Sequence, residues 1–135
     1  MKKFLFAILI LLTISINDYA QNIDTTDTEP IFSIVEEPAQ FPGGDDALSK
    51  FIHENIKYPR EAIKNKISGT VYVQFVVEKD GSISDVKVVR GIGGGCDEEA
   101  VRVVKSMPKW EPGKQRGVPV RVYFTLPIEF KLITY

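Results

Sequence analysis

Alternation governs the end of the chain. From Val118 to Leu132 every even position is apolar: Val118, Val120, Val122, Phe124, Leu126, Ile128, Phe130 and Leu132. The odd positions are Pro119, Arg121, Tyr123, Thr125, Pro127, Glu129 and Lys131. Strict period-2 patterning predicts a strand with one buried and one wet face. Both prolines lie on the wet side of the pattern. Proline has no N–H to give a ladder, so a long, half-buried strand that carries it reads as a sheet edge. An edge exposes unpaired backbone groups that can recruit another chain. At roughly 3.3 Å per residue the full run would reach about 50 Å, longer than a domain of this size is wide. Pro127 is the expected bend, with Val118 to Leu126 as the working edge and Ile128 to Leu132 continuing over the core.

Upstream, the period changes to that of a helix. Pro38 to Gly44 is turn-rich, and Asp45 and Asp46 suit a helix N-terminus. Ala47, Leu48, Phe51, Ile52 and Ile56 then recur on one face, opposite Lys50, Glu54 and Lys57, which predicts a helix over 45–55. It stops before Tyr58-Pro59, because the residue preceding a proline avoids the α region. Pro59 suits the first position of a short helix to about Lys64, which would bury Ala62 and Ile63. Val71, Val73, Phe75 and Val77 alternate with Tyr72, Gln74, Val76 and Glu78 as a strand. Asp80-Gly81 marks a tight hairpin, and a return strand runs over 84–90 with Val86 and Val88 on one face. After the glycine-rich Gly91 to Gly95, a helix over 97–106 packs through Ala100, Val101, Val104 and Met107, with Cys96 or Asp97 at its cap. Trp110 to Gly113 reads as a turn and Lys114 to Gly117 as a polar approach to the last strand. Ile31 to Val35 either adds a short strand or simply leads in. The expected class is α+β: a two-layer sandwich of a three-stranded antiparallel sheet with helices packed on one face.

The first twenty residues follow a different rule. Lys2-Lys3, an apolar run from Phe4 to Ile16 and Ala20 before Gln21 predict a secretory signal peptide cut after Ala20. About thirteen apolar residues reach roughly 20 Å as a helix, short of the ~30 Å hydrocarbon core. The expectation is a periplasmic protein; the alternative is an inner-membrane anchor formed by the uncut segment. Residues 21–35 are expected to be a flexible N-terminal segment and 36–133 the folded domain.

Composition narrows the chemistry. At 135 residues, 44% apolar and 26% charged, the chain has room for one ordinary globular domain. Its net charge is −1, and removing residues 1–20 leaves 15 basic against 17 acidic residues, which gives no footprint for nucleic acid. One cysteine excludes an internal disulfide and a paired-cysteine metal or redox motif. Cys96 would sit at a helix start, but Glu98 and Glu99 beside it oppose a thiolate. His53 is the only histidine, too few for a zinc site in this setting. Gly91 to Gly95 lacks the Gly-Lys-Ser/Thr ending of a phosphate loop. Asp45-Asp46 and Glu98-Glu99 fall where helix starts favour negative charge. No residue set supplies an acid, a base and a nucleophile or a metal site, and no cofactor, metal or small-molecule substrate is expected. Trp110 is expected in the core, while Tyr58 and Tyr123 are amphipathic aromatics suited to an interface.

In order and spacing, several blocks together resemble the TonB C-terminal domain. They are Tyr58-Pro59-Arg60-Glu61-Ala62, Gly69-Thr70-Val71-Tyr72-Val73, Asp80-Gly81-Ser82-Ile83, Asp97-Glu98-Glu99-Ala100, Trp110-Glu111-Pro112-Gly113 and the final strand. Gln40-Phe41-Pro42-Gly43-Gly44 and Gly93 to Glu99 look like the version found in Bacteroidetes-type bacteria. The resemblance covers about 36–133. It implies a TonB-like module that takes the TonB-box segment of an outer-membrane receptor as an added strand, within energy-dependent transport driven by an inner-membrane energising complex. By resemblance the contact residues would be Val118, Val120, Arg121, Val122, Tyr123 and Phe124, with Tyr58 and Pro59 as a second contact. Main-chain bonds would supply affinity and alternate side chains selectivity. A full TonB has a retained membrane helix and a long proline-rich spacer; about fifteen residues here span at most ~50 Å, too short a tether for this chain alone to transduce energy. The alternative is an envelope scaffold that homodimerises or pairs with another envelope protein.

Overall fold

The computed structural model describes residues 29–133, so the apolar run, the cleavage position and most of the flexible segment expected at the N-terminus lie outside the described residues. In chain order the elements are β1 (Ile31–Phe32), α1 (Asp45–Asn55), α2 (Arg60–Lys64), β2 (Gly69–Val77), β3 (Ile83–Arg90), α3 (Cys96–Lys105), β4 (Lys114–Gln115), β5 (Val118–Pro119) and β6 (Arg121–Phe130). The main sheet has the order β1-β6-β2-β3. Three of its strands are antiparallel neighbours, as the patterning predicts. The fourth, β1, is an addition: Ile31 and Phe32 pair parallel with Arg121 and Val122. The short-strand alternative at Ile31 is the one realised, and the sheet is four-stranded and mixed.

Burial follows the alternation. Val71, Val73, Phe75 and Val77 of β2 join Leu126, Ile128 and Phe130 of β6 under Leu48, Ala62, Ala100 and Val104 from the three helices. Full burial of a large apolar side chain is worth roughly 1.5–3 kcal/mol, so this layer carries most of the domain's stability. Trp110 is buried as expected. Phe41, Phe75 and Phe124 surround its indole at centroid distances of 5.7, 5.4 and 4.8 Å, each edge-on. Val76 departs from the pattern: it lies on the uncovered face yet is fully buried. Its register neighbours are Tyr123 on β6 and Ser84 on β3, and a central strand is shielded from both sides.

The Asp-Gly turn forms as expected. Gly81 has φ 87°, and its N–H donates to Glu78 O at 2.9 Å. Its carbonyl accepts from Trp110 N–H at 2.8 Å, and a side chain there would stand 2.0 Å from the Trp110 carbonyl oxygen. The hairpin tip is thus pressed against the backbone that seats the indole. α3 starts one residue earlier than expected, with left-handed Gly95 rather than Cys96 or Asp97 as its cap. Asp97 instead accepts the N–H groups of Ile92 and Gly93, which holds the glycine-rich loop shut. The helix buries Val103 as well as Ala100 and Val104, and Val101 is only half-buried.

Two predicted loops are extended. Glu37 and Lys114 exchange both backbone bonds, as do Gln40 and Glu111, so the segment before α1 pairs antiparallel with 111–114. Lys114–Gln115 and Val118–Pro119 form a hairpin around Arg116 (φ 53°) and Gly117 (φ 75°). Two consecutive positive φ values make the tight turn whose twist suits a two-residue hairpin.

Candidate functional site

The last strand starts later than its pattern suggested and runs straight past the expected bend to Phe130. Val118 belongs to the β4–β5 hairpin, opposite Gln115, and is 60% exposed. Val120 is half-buried between the two strands, with its N–H donating to Gly113 O at 2.9 Å. β6 then pairs with β2 without a register shift from Val122↔Val77 to Phe130↔Gly69. The bend expected at Pro127 does not occur; the chain breaks at Val120 instead. Pro127 stands opposite Tyr72 within this continuous ladder. A proline fits there because its nitrogen is turned away from the neighbouring strand. The same parity turns the backbone of Tyr123, Thr125 and Glu129 away from β2.

That outward edge is covered only at its start. β1 occupies Arg121 and Val122 and leaves Tyr123 to Phe130 without a strand partner on the side away from β2 among the described residues. The opposite edge of the sheet is blunted. β3 has two register irregularities against β2, and Asp85 sits at φ 50°, with Asp85 and Lys87 exposed. Bulges and charges are how sheets discourage pairing. Of the two edges, only that of β6 is a regular template.

The start of β6 is fixed electrostatically. Arg121 Nε lies 2.9 Å from Glu78 Oε2 and its Nη2 3.0 Å from Oε1, a bidentate clamp on the end of β2. Ser84 Oγ adds a bond to Glu78 Oε1 at 2.8 Å. The Arg121 bond, with smaller help from Ser84, holds the Glu78 carboxyl below its ordinary value of 4.5. A depressed carboxylate pKa stabilises the fold above the unfolded value, and that stability is lost as pH falls through the folded one. Glu99 is lowered in the same direction, chiefly by Arg102. Thermal midpoints should therefore hold to about pH 4.5 and decline below it. Glu78→Gln should flatten that decline and cost about 1 kcal/mol at neutral pH, read from melting curves in buffers of pH 3 to 7.

The remaining side chains expected at the site divide. Val122 is buried between Val77 and Phe32, and Phe124 stacks on Phe75 at 5.5 Å; both serve the core. Tyr123 faces outward, 38% exposed. Tyr58 and Pro59 lie at the other end of β6. The Tyr58 ring meets Phe130 edge-on at 5.6 Å and its hydroxyl donates to the Ile67 carbonyl. Pro59 caps α2. Glu99 holds this segment by accepting Lys57 N–H at 2.6 Å, while Arg102 reaches the Asn55 carbonyl at 2.8 Å. Beside Tyr58, a groove of about 530 Å³ is lined by His53, Ile56, Glu129, Phe130, Lys131 and Ile133. Sequence reasoning missed the groove and the continuation of the edge beyond Leu126 to Glu129; proline on the wet parity was the available signal.

Cys96 is fully buried, and burial, followed by Asp97 and Glu98, pushes its thiol up. It should react with a thiol reagent only as the domain unfolds, so labelling in increasing urea should follow the loss of Trp110 fluorescence. No cluster of three or more metal-ligating side chains occurs among the described residues. No helix among them is long and apolar enough to cross a membrane.

A two-layer α+β domain with one protected edge and one regular open edge defines a protein-interaction module. The sequence profile of the family described as Gram-negative bacterial TonB protein C-terminal matches residues 54–132, more than half of the chain, and the chain belongs to that family. This is a non-enzymatic interaction domain with a TonB-like role in outer-membrane transport. Domains of this type work in the bacterial envelope. Two solution structures of the Helicobacter pylori TonB C-terminal domain are similar. For residues 179–285 the identity is 27%, coverage 70% of this chain and 89% of that one, and the TM-score 0.51. For residues 194–285 the values are 26%, 64%, 90% and 0.49. A search of the curated proteins finds no match.

Proposed function

We propose that this chain is a periplasmic TonB-like adaptor that takes the TonB-box segment of an outer-membrane receptor as an added strand along β6. The carrying observation is the regular outward edge from Tyr123 to Phe130, beside a second edge that is bulged and charged. Backbone groups of Tyr123, Thr125 and Glu129 supply the ladder, and the outward side chains supply selectivity. The groove at Tyr58 lies where an incoming strand leaves β6, which supports Tyr58 and Pro59 as the second contact. Secretion by residues 1–20, with a mature start at Gln21, belongs to this reading, as does a connection to an inner-membrane energising complex. N-terminal sequencing of protein recovered from its native envelope checks the start.

The direct test is titration of the isotope-labelled chain with a TonB-box peptide. Amide shifts should concentrate between Tyr123 and Glu129. No shift at millimolar peptide overturns the proposal, and a stable dimer in sedimentation without peptide favours the scaffold alternative. Tyr123→Ala should weaken peptide binding about tenfold, the loss typical of an interface aromatic. Because the ring faces outward over Val76, the same change should cost stability only about 0.5–1 kcal/mol. Global unfolding by Tyr123→Ala would contradict its outward placement.

A further inference from the structure

The docking edge is already in use at one end, by the chain itself. β1 consists of two residues, Ile31 and Phe32, paired parallel with Arg121 and Val122. Both are only half-buried, and neither belongs to the hydrophobic core. They also precede the residues matched by the family, 54–132. After Phe32 the chain bends off the edge at Ser33 and Ile34, and Ile34 is 90% exposed. The chain is then anchored at Glu36 and Glu37. Glu36 N–H donates to Gln115 Oε1 at 3.0 Å and its carboxylate accepts Arg116 N–H at 3.2 Å. The Glu37–Lys114 backbone pair follows.

β1 is therefore a weakly held strand on a short, firmly anchored tether. Such a segment is loosely bound but always near its site, at an effective concentration of the order of millimolar or more. A strand paired on Tyr123 to Phe130 meets β1 and its turn at the Tyr123 end. To use the whole of β6 it must take Arg121 and Val122 from Ile31 and Phe32.

We propose that β1 is an intramolecular occupant of the receptor edge, displaced by an extended segment that runs parallel to β6 in its place. This rests on β6 being the receptor edge. The fraction of molecules with β1 released scales the apparent affinity for any incoming strand. Releasing β1 removes the competitor, whereas fixing it in place makes it permanent. Ile31 and Phe32 lie outside the core, so releasing β1 should leave the domain folded; fixing it at Arg121 also removes the Glu78 clamp, a loss that the oxidised and reduced forms of that variant share.

Two probes and two variants of the otherwise intact chain test this. One probe is a labelled peptide copying this chain's own residues 28–36; the other is a TonB-box peptide. Ile31→Gly with Phe32→Gly should bind the self-peptide roughly five- to thirtyfold more tightly than the unaltered chain, the change that one or two net backbone hydrogen bonds confer. Amide shifts should include Arg121 to Thr125. In the second variant, Ile31→Cys with Arg121→Cys links β1 to β6 by a disulfide, since paired residues on adjacent strands lie within bridging distance. Oxidation should weaken binding of either peptide, and reduction of the same sample should restore it. Buried Cys96 leaves that comparison undisturbed. Equal affinity of the glycine variant and the unaltered chain, or of the oxidised and reduced forms, overturns the proposal. If the self-peptide behaves as expected and the TonB-box peptide binds no form, β1 is an edge occupant and the receptor reading fails.

Discussion

Trp110→Ala is expected to cost about 3–5 kcal/mol, the usual penalty for emptying a buried aromatic site. The indole is 3% exposed and held edge-on by Phe41, Phe75 and Phe124. These three rings come from three separate segments, so no single neighbour can collapse into the space. A small domain has only about 5–15 kcal/mol of stability in total. Urea unfolding of the variant should therefore show a greatly lowered midpoint, or no folded baseline at 37 °C. Trp110→Phe gives a useful contrast. The indole N–H is buried and has no acceptor among the described residues. Phenylalanine removes that unpaired donor while keeping most of the packing, and should cost only about 1–2 kcal/mol. Equal losses for the two variants would show that the N–H, rather than the ring volume, matters at this position.

The second large effect concerns the edge. Thr125→Pro is expected to abolish detectable binding of a TonB-box peptide while leaving the fold in place. Thr125 shares the outward parity of Pro127, so its N–H is one that an added strand would use, and β2 would lose nothing. Melting should shift by only a few degrees while calorimetric titration loses its signal. Val122→Pro looks similar in the sequence but is a different experiment. Val122 is buried, opposite Val77 on β2 and Phe32 on β1, so proline there breaks the core ladder and unfolds the domain. Retained peptide affinity in a folded Thr125→Pro chain would move the binding surface off β6.

The two variants also show how legible the edge was before the fold was known. Period-2 alternation identified which side chains of 118–132 face the core, and burial agrees from Val122 to Phe130. It could not show which backbone groups face a neighbour, because that depends on which strands flank β6. Proline on the wet parity suggested an edge, and pairing with β2 on one side only makes most of β6 one. Where the strand begins was not readable either. Val118 and Val120 continue the alternation perfectly, yet the Arg116-Gly117 turn folds Val118 back onto Gln115. A hairpin of this kind wins locally because both of its turn residues adopt positive φ.

Local chemistry alone determined a good deal about this protein. Helix periods placed α1, α2 and α3 within a residue or so, because an amphipathic face and its stop signals are written in neighbouring positions. Asp80-Gly81 set the hairpin. Tertiary structure decided what depends on distant partners. It brought Glu78 to Arg121, laid 37–40 along 111–114, and buried Val76 between two flanking strands. It also placed Ile31 and Phe32 on the edge that the last strand had seemed to leave wholly free. The physical reason is that a strand's faces are set by its own side chains, whereas its edges are set by whichever backbone comes to lie beside it.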